Sequence, residues 1–290
     1  MTGASGLIGS ALVAALSEAG HSVQRLVRRP AAAPDEVAWD PVAGAVDLDA
    51  LAGVDAVVNL SGASVGGHRW TAAYKEVIRR SRVDATTTIA TAVAALDPRP
   101  AVLVSASAIG YYGDTGSDEV DETAPRGDAF LSGVVVDWER AADPARQAGV
   151  RVVQTRSGLV MARRGGAFGP LVRLTRLGLG GRLGSGRQWW SWITLADEVR
   201  AIEWLLDADV AGPVNLTAPT PATNADITRA IGAALRRPTV LPVPALAITA
   251  VLGELSSEVL GSARVLPRVL TANGFRWEHP GLPSAAATLA

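Results

Sequence analysis

Short apolar runs alternate with longer stretches of helical periodicity over the first two thirds of the chain. The runs are four to seven residues long and bounded by turn residues, which is typical of buried parallel strands. Strands that alternate with helices predict βαβ units, and hence a doubly wound α/β fold with a parallel sheet between two helical layers. The predicted strands are 21–27, 55–60, 101–107 and 150–156, and the predicted helices are 7–19, 71–95 and 129–148.

After Gly158 the alternation loosens. A glycine-rich segment, "GLGGRLGSGRQWWSWI", ends in tryptophans and predicts a loop on the substrate side that runs into a short strand. Two further helices are predicted, at 195–207 and from a cap at Thr223 or Asn224 to about Arg236. The remaining chain is punctuated by proline and then helical. We therefore predict a Rossmann-like domain over 1–237 and a small, mainly helical C-terminal subdomain over 238–290.

The first strand of the predicted sheet is almost missing from the pattern. The chain begins "MTGASGLIGS", so only Met1 and Thr2 precede a glycine-rich turn that should follow a buried central strand. We expect a few apolar residues with a β pattern to precede Met1 in the working protein. The alternatives are a poorly folding fragment, or flanking strands that close the gap directly.

Composition narrows the classes of function. The net charge is −1, from 27 basic and 28 acidic residues, which argues against a nucleic-acid binder. There is no cysteine and there are only three scattered histidines, so we expect no disulfide, no thiol catalysis and no metal site. Without a signal peptide pattern or an apolar run of about 18 residues, we expect a cytoplasmic protein with no membrane partner.

The opening turn has the chemistry of a dinucleotide site. A pyrophosphate needs backbone N–H groups at a helix N-terminus and no obstructing side chains. Arginine after the second strand favours the 2′-phosphate of NADP, whereas an acidic residue there would favour NAD. We therefore predict NADP over NAD, although Arg29, which precedes Pro30, could simply be solvated. The predicted cofactor-binding residues here are Gly3, Ser5, Gly6, Leu7, Ile8, Gly9, Arg28 and Arg29.

Four segments, "TGASGLIGS", "DAVVNLSGA", "SASAIGYYG" and "RSGLV", occur in an order and spacing that resemble the extended short-chain dehydrogenase/reductase superfamily. "SRVDATTT", "GRQWWSWI" and "RVLPRVLTANGFRW" are similar to its epimerase-like subgroup, which ends in a small domain of unknown function. The resemblance implies that Ser107 is the catalytic serine and that 156–160 lie near the nicotinamide. It also implies, by analogy, a homodimer. The residues that it places beside the adenosine and ribose of the cofactor are Asn59, Ser61, Gly62 and Ala63.

The superfamily's usual catalytic pair, Tyr-x-x-x-Lys, is absent. Lys75 is the only lysine, and Thr71 stands four residues before it. On the helix that should carry the pair, its two positions hold Leu131 and Val135. A proton donor must come from elsewhere, and we predict it among Tyr111 and Tyr112, with packing of either tyrosine as the alternative. A second candidate pair is Trp138 and Glu139, for which the alternative is an exposed or helix-capping carboxylate.

The remaining polar and aromatic candidates favour structural roles or stay open. Trp189, Trp190 and Trp192 predict either a wall over a substrate or a core cluster, with the last two on one face. Asp197 is predicted to cap or orient a helix. The glycine turn predicts NADP binding, and the resemblance implies an epimerase-like oxidoreductase for a small substrate such as a nucleotide sugar. The alternatives are an inactive NADP-binding scaffold or sensor, and a structural protein without a ligand.

Overall fold

A computed structural model describes residues 1–290. None of its helices is long and apolar enough to cross a lipid bilayer. The strands are β1 Arg25–Val27, β2 Glu36–Asp40, β3 Ala45–Val46, β4 Ala56–Asn59, β5 Val102–Ala108, β6 Glu119–Val120, β7 Arg151–Ser157, β8 Leu159–Met161, β9 Trp189–Trp190, β10 Trp192–Thr194, β11 Gly212–Leu216, β12 Ala222–Thr223 and β13 Arg264–Val265. The helices are α1 Leu7–Glu18, α2 Ala72–Ala95, α3 Phe130–Arg140, α4 Asp143–Gln147, α5 Phe168–Arg176, α6 Leu195–Asp207, α7 Asn224–Leu235, α8 Ala245–Leu252, α9 Ser256–Leu260, α10 Arg268–Ala272 and α11 Leu282–Ala287.

The central sheet is parallel and confirms the predicted fold class. Four strands pair in the order β11-β7-β5-β4, and β1 pairs with β2 in a separate group that ends in antiparallel β3. The apolar runs predicted as buried strands are β4, β5 and β7, which have side chains packed on both faces. One predicted helix is in fact two, α3 and α4, because Pro144 in the first turn of α4 has no N–H and cannot continue a helix.

Only two residues, Met1 and Thr2, lie between β1 and β4, where the first strand of the predicted sheet would run. The N–H of Leu26 in β1 donates to Met1 O over 2.8 Å, and the N–H of Thr2 donates to Val58 O in β4 over 2.9 Å. Thr2 also forms a parallel bridge with Asn59. The alternative in which the flanking strands close the gap directly is therefore wrong. Two residues join the two groups of strands at the edge where the glycine turn begins.

Two helical layers cover the sheet. On one face, α1 and α6 pack against Val58, Val104 and Val153, the alternate residues of β4, β5 and β7. On the other face, α2 and α4 pack against the intervening residues, such as Leu103 and Val152. Because strand side chains alternate between faces, the same three strands anchor both layers. Their carboxyl ends all reach one edge, where the candidate site lies.

The C-terminal part is mainly helical, as predicted, and it is packed into the rest of the molecule. Leu270 and Phe275 join the core beneath α1 and α6, whereas Ala285 and Leu289 pack near α5 and α7. β13 adds in parallel to β6. The structure contains no feature that tests a boundary at residue 237, so that boundary stays a prediction.

Candidate functional site

The glycine turn packs directly on the end of β4. Gly3 has a φ of +66°, and a Cβ there would stand 2.6 Å from the carbonyl carbon and oxygen of Leu60. A Cβ on Gly9 would fall on the carbonyl oxygen of Gly3. Gly6 is more tolerant, since its Cβ would stand 3.3 Å from the same oxygen. The first and last glycines are thus required by the fold of the turn itself.

The turn presents the free N-terminus of α1. Gly6 is the N-cap and provides no side-chain hydrogen bond. The N–H of Ser10 donates to Gly6 O, but the N–H groups of Leu7, Ile8 and Gly9 have no backbone acceptor, as expected in a first helical turn. Ser5 is exposed beside them. Three unpaired donors at a positive dipole end, with no side chain in front, fit the pyrophosphate of a dinucleotide.

The two arginines after β1 differ in their partners. Arg29 forms a bidentate pair with Glu36, at 2.7 and 2.8 Å. The Arg29 side chain and the N–H of Ala32 hold the pKa of the Glu36 carboxyl below its ordinary value. Arg28 is exposed and forms no ion pair. Only Arg28 therefore keeps its guanidinium available to an incoming phosphate.

Hydrogen bonds to buried protein groups hold the end of β4 and the loop that follows it. Asn59 is fully buried, accepts a hydrogen bond from Thr2 Oγ1 over 2.6 Å and donates to Thr86 Oγ1 over 2.8 Å. The N–H of Ala63 donates to Ser81 Oγ over 3.0 Å. The amide of Asn59 thus has protein partners on both sides and does not face solvent. Ser61 is half-buried and Gly62 exposed, and cofactor binding by this loop stays a prediction.

A buried ion pair lies beside the predicted catalytic serine. Ser107 Oγ donates to Glu139 Oε1 over 2.6 Å, and Arg156 binds both oxygens of Glu139 at 2.8 and 2.9 Å. Burial alone would lower the pKa of Arg156, but the hydrogen bonds and charge of Glu139 reverse this and raise it. Ser107 is only 4% exposed. Sequence patterns indicated Glu139, but not the arginine 17 residues away that neutralises it.

The two tyrosines after β5 have different surroundings. The ring of Tyr111 lies 3.5 Å from Arg156 Cζ, and its hydroxyl has no partner in the protein. Tyr112 is 3% exposed; its hydroxyl donates to Asn215 Oδ1 over 2.7 Å and accepts from Arg156 Nη1 over 3.0 Å. Burial raises the pKa of Tyr112 to about 12. Tyr112 is thus enclosed and bonded to Arg156, which favours the packing alternative, and the catalytic role predicted for it stays a prediction.

A polar cavity of about 600 Å³ opens beside Tyr111 and Glu139. Two of its arginines are paired with aspartates: Arg79 with Asp137 of α3, and Arg146 with Asp143 of α4. Two others, Arg126 and Arg140, are exposed and belong to none of the ion pairs. Tyr111 therefore lines the same cavity as two arginines that have no acidic partner.

A second cavity, of about 590 Å³, lies beside Leu7 at the start of α1. Arg163 and Arg164 line it, together with Leu195 and Ala196 from the first turn of α6. The loop that carries these arginines contacts the glycine turn, because a Cβ on Gly166 would stand 3.2 Å from the Leu7 side chain. The second cavity thus adjoins the glycine turn, whereas the first runs from Tyr111 along α3 to α4.

The remaining candidates have structural partners. Trp190 and Trp192 are buried in one core cluster, on one face as their alternation predicts, and Trp189 stacks 4.2 Å from Arg264 Cζ. The N–H of Asp197 donates to Thr194 Oγ1, the N-cap of α6, and the Asp197 carboxylate accepts from the Thr194 hydroxyl and from the N–H of Glu278, which fits the predicted orienting role. No three His, Cys, Asp or Glu side chains lie close enough together to hold a metal ion.

Comparison with known proteins agrees with this arrangement. The model of the NAD dependent epimerase/dehydratase family matches residues 1–217, and that of a domain of unknown function (DUF1731) matches residues 243–289. The chain belongs to the epimerase family. It is 47% identical over 281 residues to the epimerase family protein Mb2239 of Mycobacterium bovis, covering 96% of this chain and 93% of that one.

Solved structures extend the comparison. The crystal structure of human epimerase family protein SDR39U1 (isoform 2) with NADPH has a TM-score of 0.89 at 34% identity, and the match covers 99% of this chain and 96% of the human one. MoeE5 in complex with UDP-glucuronic acid and NAD has a TM-score of 0.76 at 22% identity and shows the shared fold. The part matched to the epimerase family contains every predicted cofactor residue, as well as Ser107, Tyr111 and the Glu139–Arg156 pair.

Proposed function

We propose that this epimerase-family chain binds NADPH and acts as an epimerase-like oxidoreductase on a small anionic substrate such as a nucleotide sugar. One observation carries the cofactor half of the proposal. The unpaired N–H groups of Leu7, Ile8 and Gly9 stand over a turn where Gly3 and Gly9 admit no Cβ. That cradle fits a pyrophosphate, and the related human protein was solved with NADPH.

In this proposal, Arg28 selects NADPH over NADH. Arg29 is already bound to Glu36, so its charge is compensated within the protein. Arg28 ends the same strand with no carboxylate partner, and a guanidinium is the usual partner of a 2′-phosphate. Because Arg28 has no carboxylate to accept a hydrogen bond from the ribose 2′-hydroxyl of NADH, NADH is disfavoured.

The catalytic groups would be Ser107 and Tyr111. The hydroxyl hydrogen of Ser107 is committed to Glu139, so its lone pairs are free to accept a hydrogen bond from a substrate hydroxyl. The unpartnered hydroxyl of Tyr111 is left to donate or take up a proton at the substrate oxygen. Arg156 binds both oxygens of Glu139 and lies against the Tyr111 ring. When bound, NADPH supplies a hydride.

The cavity beside Tyr111 supports the substrate half. Arg126 and Arg140 bring positive charge without acid partners, and phosphates are matched by guanidinium groups. MoeE5, which shares the fold, was solved with a nucleotide sugar. A diphosphate next to Tyr111 would therefore satisfy both arginines.

The second candidate, a cofactor-binding scaffold or sensor, is favoured by a different observation. Val135 stands where the catalytic lysine would be and is buried in the core. Ser107 is almost inaccessible. A protein that binds NADPH but catalyses no reaction would have these features.

Calorimetry with NADPH and NADH, followed by assays of NADPH oxidation with small carbonyl compounds and of epimerisation of nucleotide sugars in the presence of NADP⁺, tests both candidates. We expect micromolar NADPH binding that Arg28→Gln weakens about tenfold and Arg29→Gln leaves within about twofold. Oxidation of NADPH by a carbonyl compound, or epimerisation of a nucleotide sugar, supports the enzyme; binding with neither activity across the panel supports the scaffold. Absence of NADPH binding overturns both. A homodimer stays a prediction, which light scattering checks.

A further inference from the structure

Arg82 on α2 is a half-buried cation without a counter-ion. Its Nη1 donates to Ile78 O of its own helix over 3.0 Å, and it belongs to no ion pair. Burial lowers the pKa of Arg82 to about 10. The contrast with Arg156 is informative, because that buried arginine has Glu139 on two of its nitrogens. Charged groups removed from water normally have a partner, so the unpaired donors of Arg82 call for one.

The position of Arg82 indicates what that partner is. Its guanidinium carbon lies 5.0 Å from the centre of the Trp138 ring on α3. On the other side, a Cβ on Gly62 would stand 3.3 Å from both Cγ and Cζ of Arg82. Gly62 is two residues beyond Leu60, against which the glycine turn packs. Arg82 is therefore held against the loop on which the glycine turn before α1 packs, at the carboxyl edge of the sheet.

We propose that Arg82 binds the pyrophosphate of the bound dinucleotide, as a cationic contact in addition to the N-terminus of α1. The inference rests on the proposed NADPH binding and adds a specific residue to it. A phosphate oxygen would accept the N–H groups that no protein atom uses, and the Trp138 ring keeps the guanidinium in place. Gly62 has no side chain, which leaves the room that Arg82 needs.

The test compares two ligands that differ in the pyrophosphate. NADPH contains it, whereas adenosine 2′-monophosphate keeps the 2′-phosphate and adenosine but lacks the pyrophosphate. Arg82→Gln should weaken NADPH about tenfold and leave adenosine 2′-monophosphate within about twofold. Arg82→Lys should recover part of the loss. Arg80→Gln is the matched control, because Arg80 is an exposed arginine on the same helix, and it should change neither affinity.

A second variant keeps the charge and displaces it. Gly62→Ala should push the Arg82 side chain away and weaken NADPH as well, and the double variant should bind no more weakly than Arg82→Gln alone if both act through one contact. Equal NADPH affinity of wild type and Arg82→Gln, at matched melting temperature, overturns the proposal, as does an equal loss for both ligands. If the wild-type protein does not bind NADPH at all, the proposed function has failed instead.

Discussion

The buried carboxyl group of Glu198 predicts a specific pH dependence of stability. It lies on α6, is fully buried, and accepts a hydrogen bond from Ser157 Oγ on one oxygen, while its other oxygen has no partner. Burial raises the pKa of the Glu198 carboxyl to about 8, which the Ser157 hydrogen bond only partly offsets. Glu198→Gln keeps the shape of the protonated side chain and removes its ability to ionise.

The expected effect on stability has a definite sign. Between pH 4.5, the ordinary pKa, and about 8, folded Glu198 keeps a proton that the unfolded chain releases. The free energy of unfolding therefore falls as pH rises through that window, by at most about 1.4 kcal/mol per pH unit. Below the window the penalty is absent, and above it the loss is complete, at about 3–5 kcal/mol. The glutamine variant should escape this loss.

Urea unfolding of wild type and Glu198→Gln at about pH 5 and about pH 8.5 measures the difference directly. The variant should be close to wild type at the lower pH and more stable at the higher one. Glu76→Gln, at an exposed position on α2, controls for general loss of charge and should keep the wild-type pH dependence. A difference between wild type and Glu198→Gln that is the same at both pH values would refute the reasoning.

Three further predictions concern the candidate site. Glu139→Gln should lower the free energy of unfolding by about 3–5 kcal/mol because Arg156 loses its only counter-charge, and adding Arg156→Met should restore part of it in denaturant unfolding; fully additive losses would contradict this. Gly9→Ala should abolish NADPH binding and lower the melting temperature, since its Cβ would overlap the turn; retained binding by calorimetry would contradict the cradle. Tyr111→Phe should reduce turnover at unchanged melting temperature, whereas Tyr112→Phe should lower stability by about 1–3 kcal/mol through lost buried hydrogen bonds; the reverse pattern would exchange their roles.

The sheet and the glycine turn could be predicted because their signals are local. Buried runs such as 102–104 are apolar on both faces, and Gly3 and Gly9 stand in a spacing that one tight turn explains. Glu36, the partner of Arg29, is only seven residues further along the chain, but the two side chains meet only because β1 pairs with β2. Pairings across the fold leave no such signal. Nothing local indicates that Arg156 turns toward Glu139.

The orientation of the two tyrosines shows where local patterns stop. Tyr111 and Tyr112 are adjacent and identical in chemistry, yet only the second is enclosed. The difference arises from a short 3₁₀ turn at Ile109–Tyr111, which ends β5 and rotates the following side chain toward Asn215 of β11. β11 is distant in sequence, so the choice between the tyrosines depends on how the strands assemble.

The Glu139–Arg156 ion pair offers a physical explanation for the absence of the usual tyrosine–lysine pair. Val135 is buried and Leu131 packs near Trp70, so the helix face that would carry a proton donor and a cation is apolar in this chain. Glu139, one turn further along α3, brings a negative charge instead, and a negative charge at this depth needs a cation. Arg156 supplies it from β7 and at the same time lies on the Tyr111 ring. In the proposed function, the proton donor therefore lies not on the helix but at the end of β5, where the one unpartnered tyrosine hydroxyl stands.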